Sequence, residues 1–189
     1  MSAAPANAHA DWTDEVMATI RSEFSDIPDA AQITRIVLRL LLAAVLGGIL
    51  GYEREQQGKA AGVRTHMLVS MGAALLVMVP QQAGMLMADM SRVLQGIVAG
   101  IGFLGAGAII KNKQHEEVQG LTTAAGIWMT AAIGIACGMG RESTAVLSML
   151  LALAVLTVVP HITRLCAGKS ADAADTDTPA DRRADTDLR

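Results

Sequence analysis

Apolar residues run through this chain in long stretches, and short charged clusters separate them. The first stretch is IVLRLLLAAVLGGILGY (36–52), closed by the charged triplet Glu53-Arg54-Glu55. The second, HMLVSMGAALLVMV (66–79), is short for a bilayer core, which asks for about 20 helical residues. It becomes long enough as a helix over 63–82, with Pro80 expected to kink it and Gln81 and Gln82 near the far surface. VLQGIVAGIGFLGAGAII (93–110), LTTAAGIWMTAAIGIACGM (121–139) and STAVLSMLLALAVLTVVP (143–160) complete the set. Strict two-residue alternation is absent and Ala and Leu outnumber β-branched residues, so strands are poor candidates. The pattern predicts an all-α integral membrane protein of five transmembrane helices within residues 33–165.

Two flanking segments read differently. Residues 1–30 form an acidic N-terminal segment. Within it Trp12, Val16, Ile20 and Phe24 fall four apart on one helical face, as in an amphipathic helix lying on a bilayer surface or packed on the rest of the protein. Residues 167–189 mix Ala, Asp and Thr with both charge signs, a composition expected of a disordered polar tail.

Composition sharpens this picture. Of the 189 residues 52% are hydrophobic and only 17% charged, whereas a soluble domain keeps about a quarter charged. Buried helices of a soluble protein would need more charged faces toward water. No basic stripe with interleaved aromatics marks a nucleic-acid partner, so the lipid bilayer is the expected surrounding. The start has no basic region of the kind a cleaved signal carries, which leaves the first apolar run as an uncleaved membrane signal.

Basic residues set the expected orientation. Arg54, Lys59 and Arg64 lie between the first two runs, Lys111 and Lys113 between the third and fourth, and Arg164 and Lys169 after the fifth. The other loops hold only Arg92 and Arg141. Positive loops stay cytoplasmic, so the C-terminus is expected inside and the N-terminus outside. Arg35 and Arg39 at the outer end of the first run work against that count, and Arg39 is expected to snorkel outward.

Glycine supplies the candidate packing surface. Gly47 and Gly51, Gly96 and Gly100, and Gly134 and Gly138 each make a GxxxG pair, which lets membrane helices approach closely. The first, third and fourth runs are therefore expected to form the tight core, with the fifth facing more lipid. Gly100, Gly102, Gly105 and Gly107 are spread around the helix instead of along one face. Such a cluster fits a helix packed on all sides, or a broken helix lining a substrate or ion site.

The polar candidates gather at the cytoplasmic ends. Glu53 closes the first run and Arg64 and Thr65 open the second, so a Glu53–Arg64 ion pair could tie the two ends, or the group could bind an ion, substrate or protein. His66 reads as an interfacial side chain. Thr122 and Thr123 stand where either could cap the fourth helix. Cys137, within an apolar run, reads as a small buried hydrophobe. No spacing suggests zinc, no nucleotide-binding or hydrolase motif is present, and nothing acidic lies within the second to fifth runs. These absences point away from an enzyme and from a proton-coupled carrier.

Three blocks then carry a resemblance: GGILGYEREQQGKAAGVRTHMLVSMGAAL (47–75), GIVAGIGFLGAGAIIK (96–111) and VQGLTTAAGIWMTAAIGIACGMG (118–140). Together they resemble the MgtC/SapB family of bacterial inner-membrane proteins. The family pattern falls on Glu53, Arg54, Gly62, Arg64 and Thr65, on Gly100, Gly102, Phe103, Gly105 and Gly107, and on Gly120, Thr122, Thr123, Ala124 and Trp128. The resemblance implies a five-helix protein of the inner membrane, linked to growth at low magnesium and, in intracellular pathogens, to survival in the host. It implies a non-enzymatic regulator of another membrane complex such as an ATPase, with a Mg²⁺ channel or transport component as the alternative. Mg²⁺ would then be substrate or signal, not a resident cofactor, and a homo-oligomer stays open. Longer members carry a cytoplasmic domain after the last helix. The short polar stretch after residue 167 resembles the SapB-like branch instead.

Overall fold

The computed structural model describes residues 8–23, 25, 29–111 and 118–175. Helix α1 (Ala8–Glu23) precedes five longer helices: α2 (Ala30–Gln56), α3 (Val63–Gln82), α4 (Met87–Ala108), α5 (Leu121–Gly138) and α6 (Glu142–Asp175). A two-residue ribbon, β1 (Ile110–Lys111) antiparallel to β2 (Val118–Gln119), joins α4 to α5. Helices α2 to α6 are long and apolar enough to cross a membrane. The chain is an all-α protein, apart from that small ribbon, with the architecture of a multi-pass membrane protein.

Helix bounds follow local chemistry more than the edges of the apolar runs. α2 begins at residue 30, not 36, because the Asp29 side chain accepts the Gln32 N–H at 2.6 Å and caps the first turn. α2, α3 and α5 stop alike. Gly58, Gly84 and Gly140 adopt φ of 65°, 77° and 71° one residue past each helix cap. The following N–H groups of Lys59, Met85 and Arg141 reach back to the Arg54, Pro80 and Ala136 carbonyls at 3.0, 3.0 and 2.9 Å. This wrap satisfies carbonyls that the helix leaves open. Pro80 sits in the last turn of α3 and the helix runs on to Gln82. α6 is helical through Asp175, so it takes in residues 167–175 that composition assigned to the tail. Phe24, Lys113 and residues 176–189 lie outside the described residues.

The packing order departs from the glycine-based expectation. α5 is the central helix, packed on α2, α3, α4 and α6, and α3 is laid along both α2 and α5 with only slight contact to α4. One apolar cluster joins Ala43, Leu46 and Leu50 of α2 to Ala74, Ile133, Cys137, Ala145 and Met149. A second joins Ala73 and Val77 of α3 to Met90, Ile97 and Ala131. Half of the α5 span (50%) is buried in the bundle, against 17% for α4 and 11% for α6. The core is thus α2, α3 and α5. α4, expected inside, flanks it, and α6 is the lipid-facing flank opposite.

Backbone contact explains why α3 sits between α2 and α5. A Cβ on Gly47 would stand 2.6 Å from the His66 carbonyl oxygen, and one on Gly51 would stand 2.7 Å from Val63 Cα. From the other side, a Cβ on Gly138 would come 2.5 Å from the Ala74 carbonyl oxygen, and one on Gly134 would collide with that of Ser70. Two GxxxG pairs, on α2 and α5, therefore grip the backbone of α3 between them. In a lipid solvent this close approach holds helices where apolarity cannot.

Candidate functional site

At the α2–α3 hairpin, polar side chains enter the bundle. Gly47, Leu50, Gly51 and Arg54 fall at i, i+3, i+4 and i+7, so Arg54 shares the α2 face that meets α3. Arg54 is accordingly only 1% exposed and Glu53 9%. The Arg54 guanidinium donates to Glu53 from Nη2 at 2.7 Å and from Nε, and Gln57 Nε2 donates to the same carboxylate. Two contacts from one guanidinium fix its plane, and the carboxylate neutralises a cation that burial would otherwise leave bare.

This is not the ion pair expected from the sequence. Glu53 turns inward to its neighbour Arg54, while Arg64 and Thr65 are exposed on the first turn of α3. The two helix ends are tied by Glu55 instead, whose carboxylate accepts the Val63 N–H at 2.9 Å. Gly62 makes room for it, since a Cβ there would stand 2.5 Å from Glu55 Oε2. Glu55, Lys59, Arg64 and Thr65 line a polar surface cavity of about 430 Å³ around this cap.

Behind Arg54 lies His66, fully buried rather than interfacial. Its Nδ1 is 3.0 Å from the Gly62 carbonyl oxygen. A carbonyl only accepts, so Nδ1 carries the proton. Gly126 of α5 faces the ring: a Cβ there would stand 3.6 Å from His66 Nε2 and 4.0 Å from Arg54 Cδ. Thr130 Oγ1, one turn on, donates to the Gly126 carbonyl at 2.9 Å. Ser70 and Thr123 are buried in the same region. His66 Nε2 and Ser70 Oγ are buried without a hydrogen-bond partner in the described structure. Beyond Ser70 the lining turns apolar, with Ala73, Ala74, Val77, Met78, Ile133 and Cys137 all buried.

The threonines and glycines of the other blocks are placed differently from expectation. Neither Thr122 nor Thr123 caps α5. Gly120 holds that position at φ 93°, and a Cβ on it would collide with the Ala108 carbonyl oxygen. Thr122 is exposed and Thr123 is 3% exposed. α4 is continuous through Gly100, Gly102, Gly105 and Gly107, so this segment is neither broken nor enclosed on all sides. Only Gly105 meets a neighbour, with a Cβ there 3.5 Å from Ala124 Cβ. Gly96, Gly100, Gly102 and Gly107 have nothing within 4 Å of a Cβ position, and Phe103 is 82% exposed. Between α3 and α4 runs an apolar groove of about 670 Å³, lined by Leu68, Gly72, Leu76, Gly96, Gly100 and Leu104 among others.

At the opposite end of α2, Arg39 does not snorkel free. It donates from Nη1 to the Gly138 carbonyl at 3.0 Å, at the C-terminal end of α5, and its Nε lies 3.6 Å from Glu142 Oε1. Among the described residues no group of three or more His, Cys, Asp or Glu side chains is placed to hold a metal ion.

A buried arginine–carboxylate pair thus stands at one end of a bundle of five helices long and apolar enough to cross a membrane, the architecture of a multi-pass membrane protein. The chain belongs to the MgtC family, whose model matches residues 40–165. It is 42% identical over 134 residues to the "Putative magnesium transporter YhiD" of Escherichia coli strain K12, covering 67% of this chain and 61% of that protein. It is 41% identical over 138 residues to Protein SrpB of Synechococcus elongatus, covering 67% of this chain and 76% of that protein. Against Protein MgtC of Brucella abortus, identity is 44% over 115 residues, or 60% of this chain and 46% of that protein. The chain thus spans less than two thirds of YhiD and about half of the Brucella protein. No solved structure matches it. Family membership fits a non-enzymatic protein of the bacterial inner membrane.

Proposed function

We propose that this protein is a non-catalytic regulator in magnesium-limited growth, acting by receiving a transmembrane helix of another inner-membrane complex. The observation that carries this reading is the open glycine face of α4. Gly96 and Gly100 make the spacing that grips α3 elsewhere in the fold, yet here the spacing faces an empty groove. A helix with apolar side chains would fill it by the same close contact. The apolar plug beyond Ser70 also favours regulation over conduction through the bundle. The test is purification in mild detergent with and without Gly100→Leu. A partner complex should co-purify with the unaltered protein and be lost from the variant, whose own fold has room for the new side chain. Recovery of the chain alone, or of an unaffected complex, would reject the reading.

A second reading rests on the name of YhiD, a magnesium transporter by description. It assigns Mg²⁺ as substrate and the Glu53 hairpin as an entry point. Mg²⁺ flux into proteoliposomes above that of empty vesicles, reduced by Glu53→Gln in protein that still folds, would support it. Absence of flux in folded, inserted protein would remove it. Under either reading the count of basic residues in the loops favours a cytoplasmic C-terminus and an external N-terminus.

A further inference from the structure

Arg35 and Arg39 oppose the charge count of the loops, and such residues ask for a local reason. Arg39 has one, in the Gly138 carbonyl and Glu142. Arg35 has none: the described residues give its side chain neither hydrogen bond nor ion pair. The nearest carboxylate along α2, Asp29, is turned to the Gln32 N–H at 2.6 Å.

Gln32, Arg35, Ile36 and Arg39 recur at three- and four-residue steps, so they form one stripe of α2. That stripe faces Met78, Gln81 and Gln82 at the end of α3, across a cavity of about 290 Å³. Its polar wall thus consists of two guanidinium groups and three amides. Glu142 offsets part of the Arg39 charge, and no described residue offsets that of Arg35. Beside the cavity, α3 exposes Leu75 and Val79. A cationic, amide-rich cavity at the helix ends therefore stands over apolar surface.

We propose that this cavity binds a phosphate group, carried by the headgroup of an anionic membrane lipid. Guanidinium forks match phosphate oxygens two at a time, and the amides donate to the remaining ones. The acyl chains run along the exposed side of α3. An uncompensated Arg35 disfavours headgroups that carry their own cation. This inference is independent of the α4 groove, which lies on the other side of α3's contacts.

Native mass spectrometry of the full chain tests it, after extraction from nanodiscs of phosphatidylglycerol or phosphatidylcholine. One phosphatidylglycerol should be retained at least about tenfold more than phosphatidylcholine, as loss of a charge-assisted hydrogen bond implies. Arg35→Gln should lose that lipid while its lipid-free melting temperature stays unchanged, and Arg35→Lys should keep part of it. Excess inorganic phosphate is the second arm. If it leaves the lipid in place, the headgroup is the ligand. If it displaces the lipid and binds in an Arg35-dependent way, the phosphate chemistry stands and free anion becomes the source. Equal retention of both lipids, or retention indifferent to Arg35, would overturn the proposal.

Discussion

Two glycines from GxxxG pairs have opposite physical roles here. Gly134 leaves no room for a Cβ beside the Ser70 carbonyl, whereas Gly100 faces open space. Gly134→Ala should therefore cost about 1–3 kcal/mol through forced separation of α3 and α5. Gly100→Ala should be neutral or stabilise by about 0.5–1 kcal/mol, since Ala is the better helix former. Unfolding by denaturant titration in mixed micelles would order the two variants, and equal effects would contradict the packing described. The buried pair makes a second prediction at this scale. Glu53→Leu strands the Arg54 cation in the bundle and should cost about 3–5 kcal/mol. The double change Glu53→Leu with Arg54→Met should recover most of that loss. If the double variant is as unstable as the single one, the pair is not the source of the cost.

Among the elements, α3 is held at its start by a neighbour and not by its own sequence. Glu55, at the end of α2, supplies the carboxylate that an N-cap residue would ordinarily provide. Glu55→Ala should cost about 1 kcal/mol and raise amide exchange in the first turn of α3, with the rest of the helix protected as before. The connection from α4 to α5 depends on Gly120, whose φ of 93° and contact with the Ala108 carbonyl exclude a side chain. Gly120→Ala should open the β1–β2 ribbon while leaving the α2–α3 hairpin intact, which exchange measured at residues 110–111 and 118–119 would resolve. α1 carries Trp12, Val16, Met17 and Ile20 exposed along its length, so its apolar stripe is free for a bilayer surface.

For the whole molecule, the arrangement of α4 and α6 as opposite flanks sets what can approach it. α6 presents large apolar side chains such as Leu147, Leu151 and Val155, suited to lipid. α4 presents glycine, which lipid tails fill poorly and a helix fills well. The orientation expected from the basic loops predicts that a reporter fused after Leu165 reads as cytoplasmic. An external reading would invert the molecule and place the Arg54–His66 hairpin on the outer side.

The sequence by itself determined that this chain is a five-helix membrane protein, because run length and charge placement report bilayer geometry directly. The stops of α2, α3 and α5 came from the structure, where Gly58, Gly84 and Gly140 take φ above zero beyond the charged triplet or apolar run that marked each edge in the sequence. The GxxxG pairs were legible as close-contact surfaces, but their partners were not. A four-residue spacing says that a backbone can come near, and it is silent on which one does. The tertiary structure decided that Gly47, Gly51, Gly134 and Gly138 grip α3 while Gly96 and Gly100 stay open. Ser70 and Ala74, small residues four apart on α3, were the signal available for its place between those two glycine pairs. It likewise decided that Glu53 turns to Arg54 instead of Arg64, because helix phase buries one face of the hairpin and exposes the other. Which polar groups meet depends on the rotation of each helix about its axis, and only packing fixes that rotation.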